Sequence, residues 1–262
     1  MNPLYQQPTR ITYYDLDYRG KIKLSALLRM VHVAADVNAK QLGAGYDVLS
    51  KLGMTFVLQR FGVKIIRMPA YDEEVLIRTW PSDVAKGTFL RRGDMYASPG
   101  MYASPGMCDK SGVKIMEWAS LWLLFDFNTR KVLRPSALPI PLPTLGAEGV
   151  EIMPEKLSPD SGQPFFSYKH VVGYRDADTN MHMNNSIYGD LIGNALFPTT
   201  ADTPGSSTDI LNNIPDWTQV QINYLAEIRL GEEAEITAYH SKDNYLVKGV
   251  SGGRTAFIAR IS

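Results

Sequence analysis

Tyr71-Asp72-Glu73-Glu74-Val75-Leu76-Ile77 returns 159 residues later as Leu230-Gly231-Glu232-Glu233-Ala234-Glu235-Ile236. In both stretches an acidic pair leads into the start of a strand. A second pairing lies upstream at nearly the same distance. Laying Asp17 on Asp178, an offset of 161, puts Ser25 over Ser186, each at the head of a helix-like run. Chance could produce either match alone. Their shared order and spacing, with registers only two residues apart, favour an internal duplication.

Each half read outward from these anchors gives the same plan. In the first, Ser25 is placed to cap a helix whose Leu27, Met30, Val31, Ala34, Val37 and Leu42 share one face, with Gly43 as its stop. Strand-like runs follow at 55–68, 74–80, 88–96 and 113–127, rich in β-branched and aromatic residues and separated by turn formers. In the second half a shorter helix is expected from Ser186 to Phe197, stopped by Pro198. Strands are expected at 218–227, 234–239, 245–250 and 254–261. One helix followed by antiparallel strands, twice over, is an α+β chain.

Between the halves, Arg134 to Pro164 holds seven of the sixteen prolines, with Pro139, Pro141 and Pro143 in alternation. Proline fixes φ and lacks an amide hydrogen, so this stretch reads as an extended connector. The expected organisation is a first half at 1–133, a proline-rich linker at 134–164 and a second half at 165–262. A literal hexapeptide repeat, Met95 to Gly100 and Met101 to Gly106, ends each time in Ser-Pro-Gly. It reads as a lengthened hairpin tip.

Lys plus Arg and Asp plus Glu both total 27, so net charge is zero. A broad surface for nucleic acid or an anionic membrane is therefore not expected. A single cysteine, Cys108, rules out an intramolecular disulfide and any multi-thiolate metal site. No His, Asp and Glu cluster has metal-ligand spacing, and neither metal nor cofactor is expected. No run approaches the roughly 18 apolar residues of a membrane span, and the N-terminus lacks the apolar core of a signal peptide. A cytoplasmic, soluble protein is the expectation.

The densest polar cluster is Asp176-Ala-Asp178-Thr-Asn180-Met-His182-Met-Asn184-Asn185-Ser-Ile-Tyr188. One reading is an Asx-rich turn capping the next helix. The other rests on period two: in an extended segment residues 178, 180 and 182 point to one side, bringing together an acid, an amide and an imidazole. The helix start just beyond offers amide groups to a developing anion. His32, His170 and His240 read as structural or solvated.

The run from Asp178 to Tyr188 resembles the Asp-x-Asn-x-His-x-Asn-Asn-x-x-Tyr signature of acyl-acyl-carrier-protein thioesterases. Tyr224-Leu-Ala-Glu227 is similar to that family's Tyr-x-x-Glu stretch, and Arg91-Arg92 and Glu117-Trp118-Ala119-Ser120-Leu121-Trp122 extend the resemblance into the first half. It implies a tandem double hotdog, each half a long helix wrapped by an antiparallel sheet. It implies hydrolysis of fatty acyl thioesters on acyl carrier protein, with Asp178, Asn180, His182 and Glu227 at the family's catalytic positions. Plant members carry a cysteine after that glutamate, whereas here the residue is Ile228, so a cysteine nucleophile does not fit.

On that resemblance, Glu227 or His182 activates water, Asn180 orients water or carbonyl, and Asp178 fixes the imidazole tautomer. Direct carboxylate attack stays open as a second route. The thioester carbonyl is expected at the helix start near Asn184 and Asn185. Met68, Met116, Trp118 and Trp122 are candidates for the acyl pocket. Arg91 and Arg92 are candidates for docking the acidic carrier. A homodimer stays open, and neither nucleic acid nor membrane is an expected partner. The alternatives are a hotdog enoyl-thioester hydratase or dehydratase and a non-catalytic acyl-binding module.

Overall fold

The computed structural model describes residues 1–85, 87–97, 112–158, 162–198, 217–241 and 244–262. They form two compact units. The first comprises Met1–Ile22 and Arg29–Pro154, the second Lys23–Leu28 and Glu155–Ser262.

The first unit holds β1 (Tyr5–Arg10), β2 (Met54–Ile65), β3 (Glu74–Ala85), β4 (Thr88–Ala97), β5 (Val113–Asp126) and the short β6 (Lys131–Leu133). They pair antiparallel in the order β1-β3-β4-β5-β2, with β6 on the end of β5. Helix α1 (Leu24–Gln41) contributes its body to this unit, followed by the single turn α2 (Tyr46–Leu49). Met30, Val31, Ala34 and Ala35 of α1 are buried. The His32 ring meets Phe61 of β2 and Trp122 of β5 edge-on, at 6.1 and 6.0 Å. The sheet therefore curves around the helix's apolar stripe.

The second unit repeats this circuit. Strands β7 (Gln163–Val171), β8 (Gln219–Tyr224), β9 (Glu233–Ser241), β10 (Asn244–Ser251) and β11 (Arg254–Ile261) run in the order β7-β9-β10-β11-β8. Helix α3 (Ile187–Leu196) lies against β7, β9 and β10, with Leu191, Ile192, Ala195 and Leu196 buried. Both sequence registers hold in the backbone. Asp72 N–H donates to Ile11 O at 2.9 Å, and Gly231 N–H donates to Val172 O at 2.8 Å, in the same corner of each unit.

Several elements differ from the sequence reading. β1 was not expected, because Tyr-Gln-Gln-Pro-Thr-Arg is polar and holds Pro8; it lies on the edge of its sheet, where a strand tolerates a missing donor. β7 and β6 were likewise not expected as strands. β8 ends at Tyr224 rather than Glu227: Leu225 and Ala226 both donate to Ala256 O, at 2.8 and 3.0 Å, a doubled contact that ends the ladder. Ser25 does not cap α1. It lies inside the helix, and its hydroxyl donates to the Asp190 carboxylate.

After a single 3-10 turn at Pro135–Ala137, the proline-rich stretch up to Pro154 has no regular structure and lies along the first unit instead of standing apart. Leu145 N–H donates to Pro81 O at 3.0 Å and Trp80 Nε1 to Gly146 O at 3.0 Å. Val150 and Ile152 are buried with Trp80, Leu90, Ala119 and Leu121. Apolar residues between the prolines drive this packing, and the compact units divide at Pro154 and Glu155.

Candidate active site

The polar cluster folds as a tight hairpin, not as an extended strand. Asp178 N–H donates to His182 O at 2.8 Å and Met181 N–H to Asp178 O at 3.0 Å, so Thr179, Asn180 and Met181 form the tip. Met181 takes the left-handed backbone conformation, φ +62°. The alternation expected to align residues 178, 180 and 182 is thereby lost. Asp178 is the turn's anchor: its Oδ1 accepts from Asn180 N–H at 2.8 Å and faces His182 N–H at 3.5 Å. Its carboxylate holds the backbone, not the imidazole tautomer.

A short ladder fixes the position of His182 against the neighbouring chain. Met183 N–H donates to Ile228 O at 2.8 Å and Leu230 N–H to Met181 O at 3.0 Å, pairing His182 with Arg229. This register sets the His182 ring beside Glu227, with Nε2 to Oε2 at 3.0 Å. The other carboxylate oxygen accepts from Arg229, whose Nε lies at 3.0 Å and whose Nη2 also bonds it. Glu227 in turn raises the pKa of the Arg229 guanidinium. Both His182 and Glu227 are about one-third exposed, 33% and 34%, so water reaches the pair.

Two phenols pack nearby, Tyr188 buried and Tyr224 half-buried. Tyr188 and Tyr224 meet edge-on at 5.1 Å, and Tyr224 Oη donates to Asn185 O at 3.4 Å. Burial, then the charges of Glu227 and Asp178, push the Tyr188 pKa up; burial and Tyr188 do the same for Tyr224. Both stay neutral at physiological pH.

The structure thus brings His182 and Glu227 together and adds Arg229, which the sequence reading missed. Its signal was position: residues two apart in extended chain share a side. Asn180 is exposed at the tip, and no described hydrogen bond joins its carboxamide to His182 or Glu227. At the α3 start, Asn184 Oδ1 accepts from Ser186 N–H at 2.9 Å, and Ile187 N–H bonds Asn184 O at 2.9 Å. Those two amides are occupied by the cap, so they do not form the anion site expected near Asn184 and Asn185.

The first unit encloses a cavity of about 520 Å³. Its walls come from α1 (His32, Ala35, Ala39), the sheet (Phe56, Phe89, Trp122) and the proline-rich stretch (Leu138, Ile140, Leu142). Of the expected pocket residues only Trp122 lines it. Trp118 is core: it packs over Gly93, where an added Cβ would lie 2.3 Å from its ring. Met116 is also core, and Met68 lies beyond β2, off the cavity wall.

Neither candidate docking arginine is placed for a carrier. Arg91 faces the cavity and donates Nη1 to Asn38 Oδ1 at 2.8 Å and Thr79 Oγ1 at 3.2 Å. Burial lowers its pKa to about 10, so it stays charged. Arg92 donates to Val150 O and Ile152 O, pinning the proline-rich stretch. His32 is half-buried in the cavity wall and held neutral, its pKa lowered by desolvation to about 4. His170 pairs with Asp176 at 3.0 Å, and the His240 ring lies tilted against Tyr245 at 5.0 Å. Cys108 and the hexapeptide repeat from residue 98 onward lie outside the described residues.

Comparison with known proteins gives the family and the fold. The sequence profile of the acyl-ACP thioesterase N-terminal domain matches residues 2–136. The chain belongs to the acyl-ACP thioesterase family. Family membership makes it a thioester hydrolase acting on acyl-ACP. Comparison with curated proteins finds no match. Among solved structures, the acyl-ACP thioesterase of Bacteroides thetaiotaomicron superposes with TM-score 0.76 at 21% identity, over 99% of this chain and 97% of that one. The 12:0-ACP thioesterase of Umbellularia californica gives 0.73 at 17%, over 100% and 97%. A putative oleoyl thioesterase of Lactobacillus plantarum gives 0.67 at 19%, over 98% and 94%. The thioesterase therefore shares the whole double-hotdog fold with these proteins, including the second half beyond the matched profile.

Proposed function

We propose that this thioesterase hydrolyses fatty acyl-acyl-carrier-protein at one site per chain, built by the second unit around His182 and Glu227. The observation that carries the reading is the 3.0 Å contact between His182 Nε2 and Glu227 Oε2, clamped from the far side by Arg229. With Nε2–H donated to the carboxylate, the other ring nitrogen is the base. It takes a proton from water as the water oxygen bonds the thioester carbonyl carbon. Collapse of the tetrahedral intermediate breaks the carbon–sulfur bond, and the imidazolium returns the proton to the leaving thiolate. Fatty acid and carrier thiol result.

The same contacts disfavour Glu227 as nucleophile. One of its oxygens accepts from His182 and the other from Arg229, and these charge-assisted contacts draw electron density from both, which weakens the carboxylate as an attacking group. A positioned general base is worth roughly 10²- to 10⁴-fold. The cavity of the first unit is the acyl-chain receptor; its apolar walls and size are those of a small-molecule pocket.

The test is release of free thiol from acyl carrier protein bearing saturated chains of graded length, with enoyl absorbance followed in parallel. Thiol release that is lost in His182→Ala and Glu227→Gln, both still folded, supports the reading. Enoyl formation with the thioester intact would instead make the site a hydratase.

A further inference from the structure

We infer that the proline-rich stretch from Leu138 to Leu142 is the wall of the acyl cavity that sets chain-length preference, through Leu138, Ile140 and Leu142. This rests on the thioesterase reading above.

Three observations carry it. First, the stretch alternates. Leu138, Ile140 and Leu142 line the cavity and are half-buried, while Pro139 and Pro141 between them are exposed and off the wall. The chain therefore presents an apolar comb to the cavity, one tooth every second residue.

Second, the comb is held only at its ends. Leu138 N–H bonds Pro135 O at 3.1 Å, and Leu145 N–H bonds Pro81 O at 3.0 Å. Between them, no backbone hydrogen bond is made by residues 139–144 among those described. Pro139, Pro141 and Pro143 have no amide hydrogen to offer and fix φ, so the span stays extended without a sheet partner.

Third, the opposing walls carry the fold. His32 of α1 packs edge-on against Phe61 and Trp122, and Phe56, Phe89 and Trp122 lie in laddered strands. Trp122 is further tied through Nε1 to Ser120 Oγ at 2.8 Å. Changing their size disturbs core packing. Changing the comb alters the cavity and leaves the ladders alone. The strap is thus the wall free to vary, and its side chains decide how many methylenes fit.

The experiment compares wild type with Ile140→Trp, Ile140→Ala, Leu138→Ala and the outward-facing Pro141→Ala. Each is assayed for kcat/KM on acyl carrier protein with saturated chains of graded length, and for displacement of a fluorescent fatty-acid probe by the same free acids. Ile140→Trp should lower kcat/KM for the longest accepted chains about tenfold or more while sparing short ones, the scale set by a methylene's fit in an apolar pocket. The alanine variants should extend acceptance to longer chains, and Pro141→Ala should leave the profile in place. Probe displacement should shift in parallel. If wild type hydrolyses no acyl carrier substrate yet the displacement profile shifts, the thioesterase reading fails and the wall assignment stands. Folded Ile140 and Leu138 variants with unchanged length profiles in both assays would overturn the assignment.

Discussion

The hairpin at Asp17–Lys21 and the hairpin at Asp178–His182 are one structure carrying two chemistries. Asp17 N–H donates to Lys21 O at 2.7 Å, and Asp17 Oδ1 accepts from the amides of Arg19 and Lys21 at 2.9 and 3.0 Å. Asp178 makes the matching set toward Asn180 and His182. Gly20 and Met181 take the same left-handed conformation, and the bridges Leu16 to Ile22 and Ala177 to Met183 close both loops. The opposite strand repeats as well. Ile66 and Arg67 both donate to Ile115 O, as Leu225 and Ala226 do to Ala256 O, so Met68 and Glu227 follow the same bulge. Backbone placement is shared, and only side chains differ. Where the second unit has His182 and Glu227, the first has Lys21 and Met68, which supply neither a base nor a carboxylate at neutral pH. The duplicated scaffold does not make a site by itself.

The largest expected effect tests that contrast directly. His182→Ala or Glu227→Gln should lower kcat at least about 10²-fold without loss of the folded state. Lys21→Ala and Met68→Ala should leave the chemical step largely intact. Single-turnover thiol release alongside circular dichroism distinguishes the cases. If folded Lys21→Ala is as damaging as His182→Ala, the one-site assignment is wrong.

Acid should find the next difference. His32 sits half-buried in the cavity wall of the first unit with its pKa lowered by desolvation to about 4, whereas its register partner in the second is Gly193. In the unfolded chain this histidine titrates near 6.5, so between pH 6.5 and 4 the unfolded state binds the extra proton. Stability is therefore full above pH 6.5 and falls as pH drops through that window, by roughly 1.4 kcal/mol per unit at most. His32→Gln should flatten this part of the stability curve in urea titrations from pH 7 to 4.5. An unchanged slope would show that His32 is not the proton acceptor.

Much of this was legible in the sequence, for identifiable reasons. The duplication was readable because turn chemistry and acidic pairs at strand starts leave residue-specific marks. The helices and strands β2 to β5 and β8 to β11 were readable from period and from β-branched and aromatic content. β1 was not, since an edge strand needs neither apolar continuity nor every amide. His182 and Glu227 were each named through the family resemblance, but their contact was not: a hairpin plus a two-rung bridge makes it, while the alternation expected to align residues 178, 180 and 182 is absent. Arg91 and Trp118 show the other limit. Sequence gives the residue type, but which face of a strand points at a cavity depends on bulges such as those in β3 and β4.

A smaller effect separates anchoring from chemistry. Asp17→Ala and Asp178→Ala should each cost about 1 to 2 kcal/mol of stability, because each removes a charged acceptor from turn amides. Only Asp178→Ala should also lower turnover, by loosening the hairpin that aims His182. Equal turnover in the two variants would mean the imidazole is held without its anchor.

The smallest expected effect lies at the hairpin tips. Gly20 and Met181 share the left-handed conformation, φ +73° and +62°, but only glycine adopts it without a Cβ penalty. Gly20→Met should therefore destabilise the chain by about 1 kcal/mol. The reverse change, Met181→Gly, relieves that penalty but gives the unfolded chain more freedom to lose. The two terms nearly cancel, so stability should move by less than about 0.5 kcal/mol. The asymmetry shows whether the backbone at the tips is set by the residue or by the ladder around it. If the ladder sets it, Met181→Gly keeps both the fold and the His182–Glu227 contact, and turnover stays within about twofold. If residue identity sets it, Met181→Gly frees the tip and activity falls toward that of Asp178→Ala. Urea melts and thiol release on the two swapped tips decide between these outcomes.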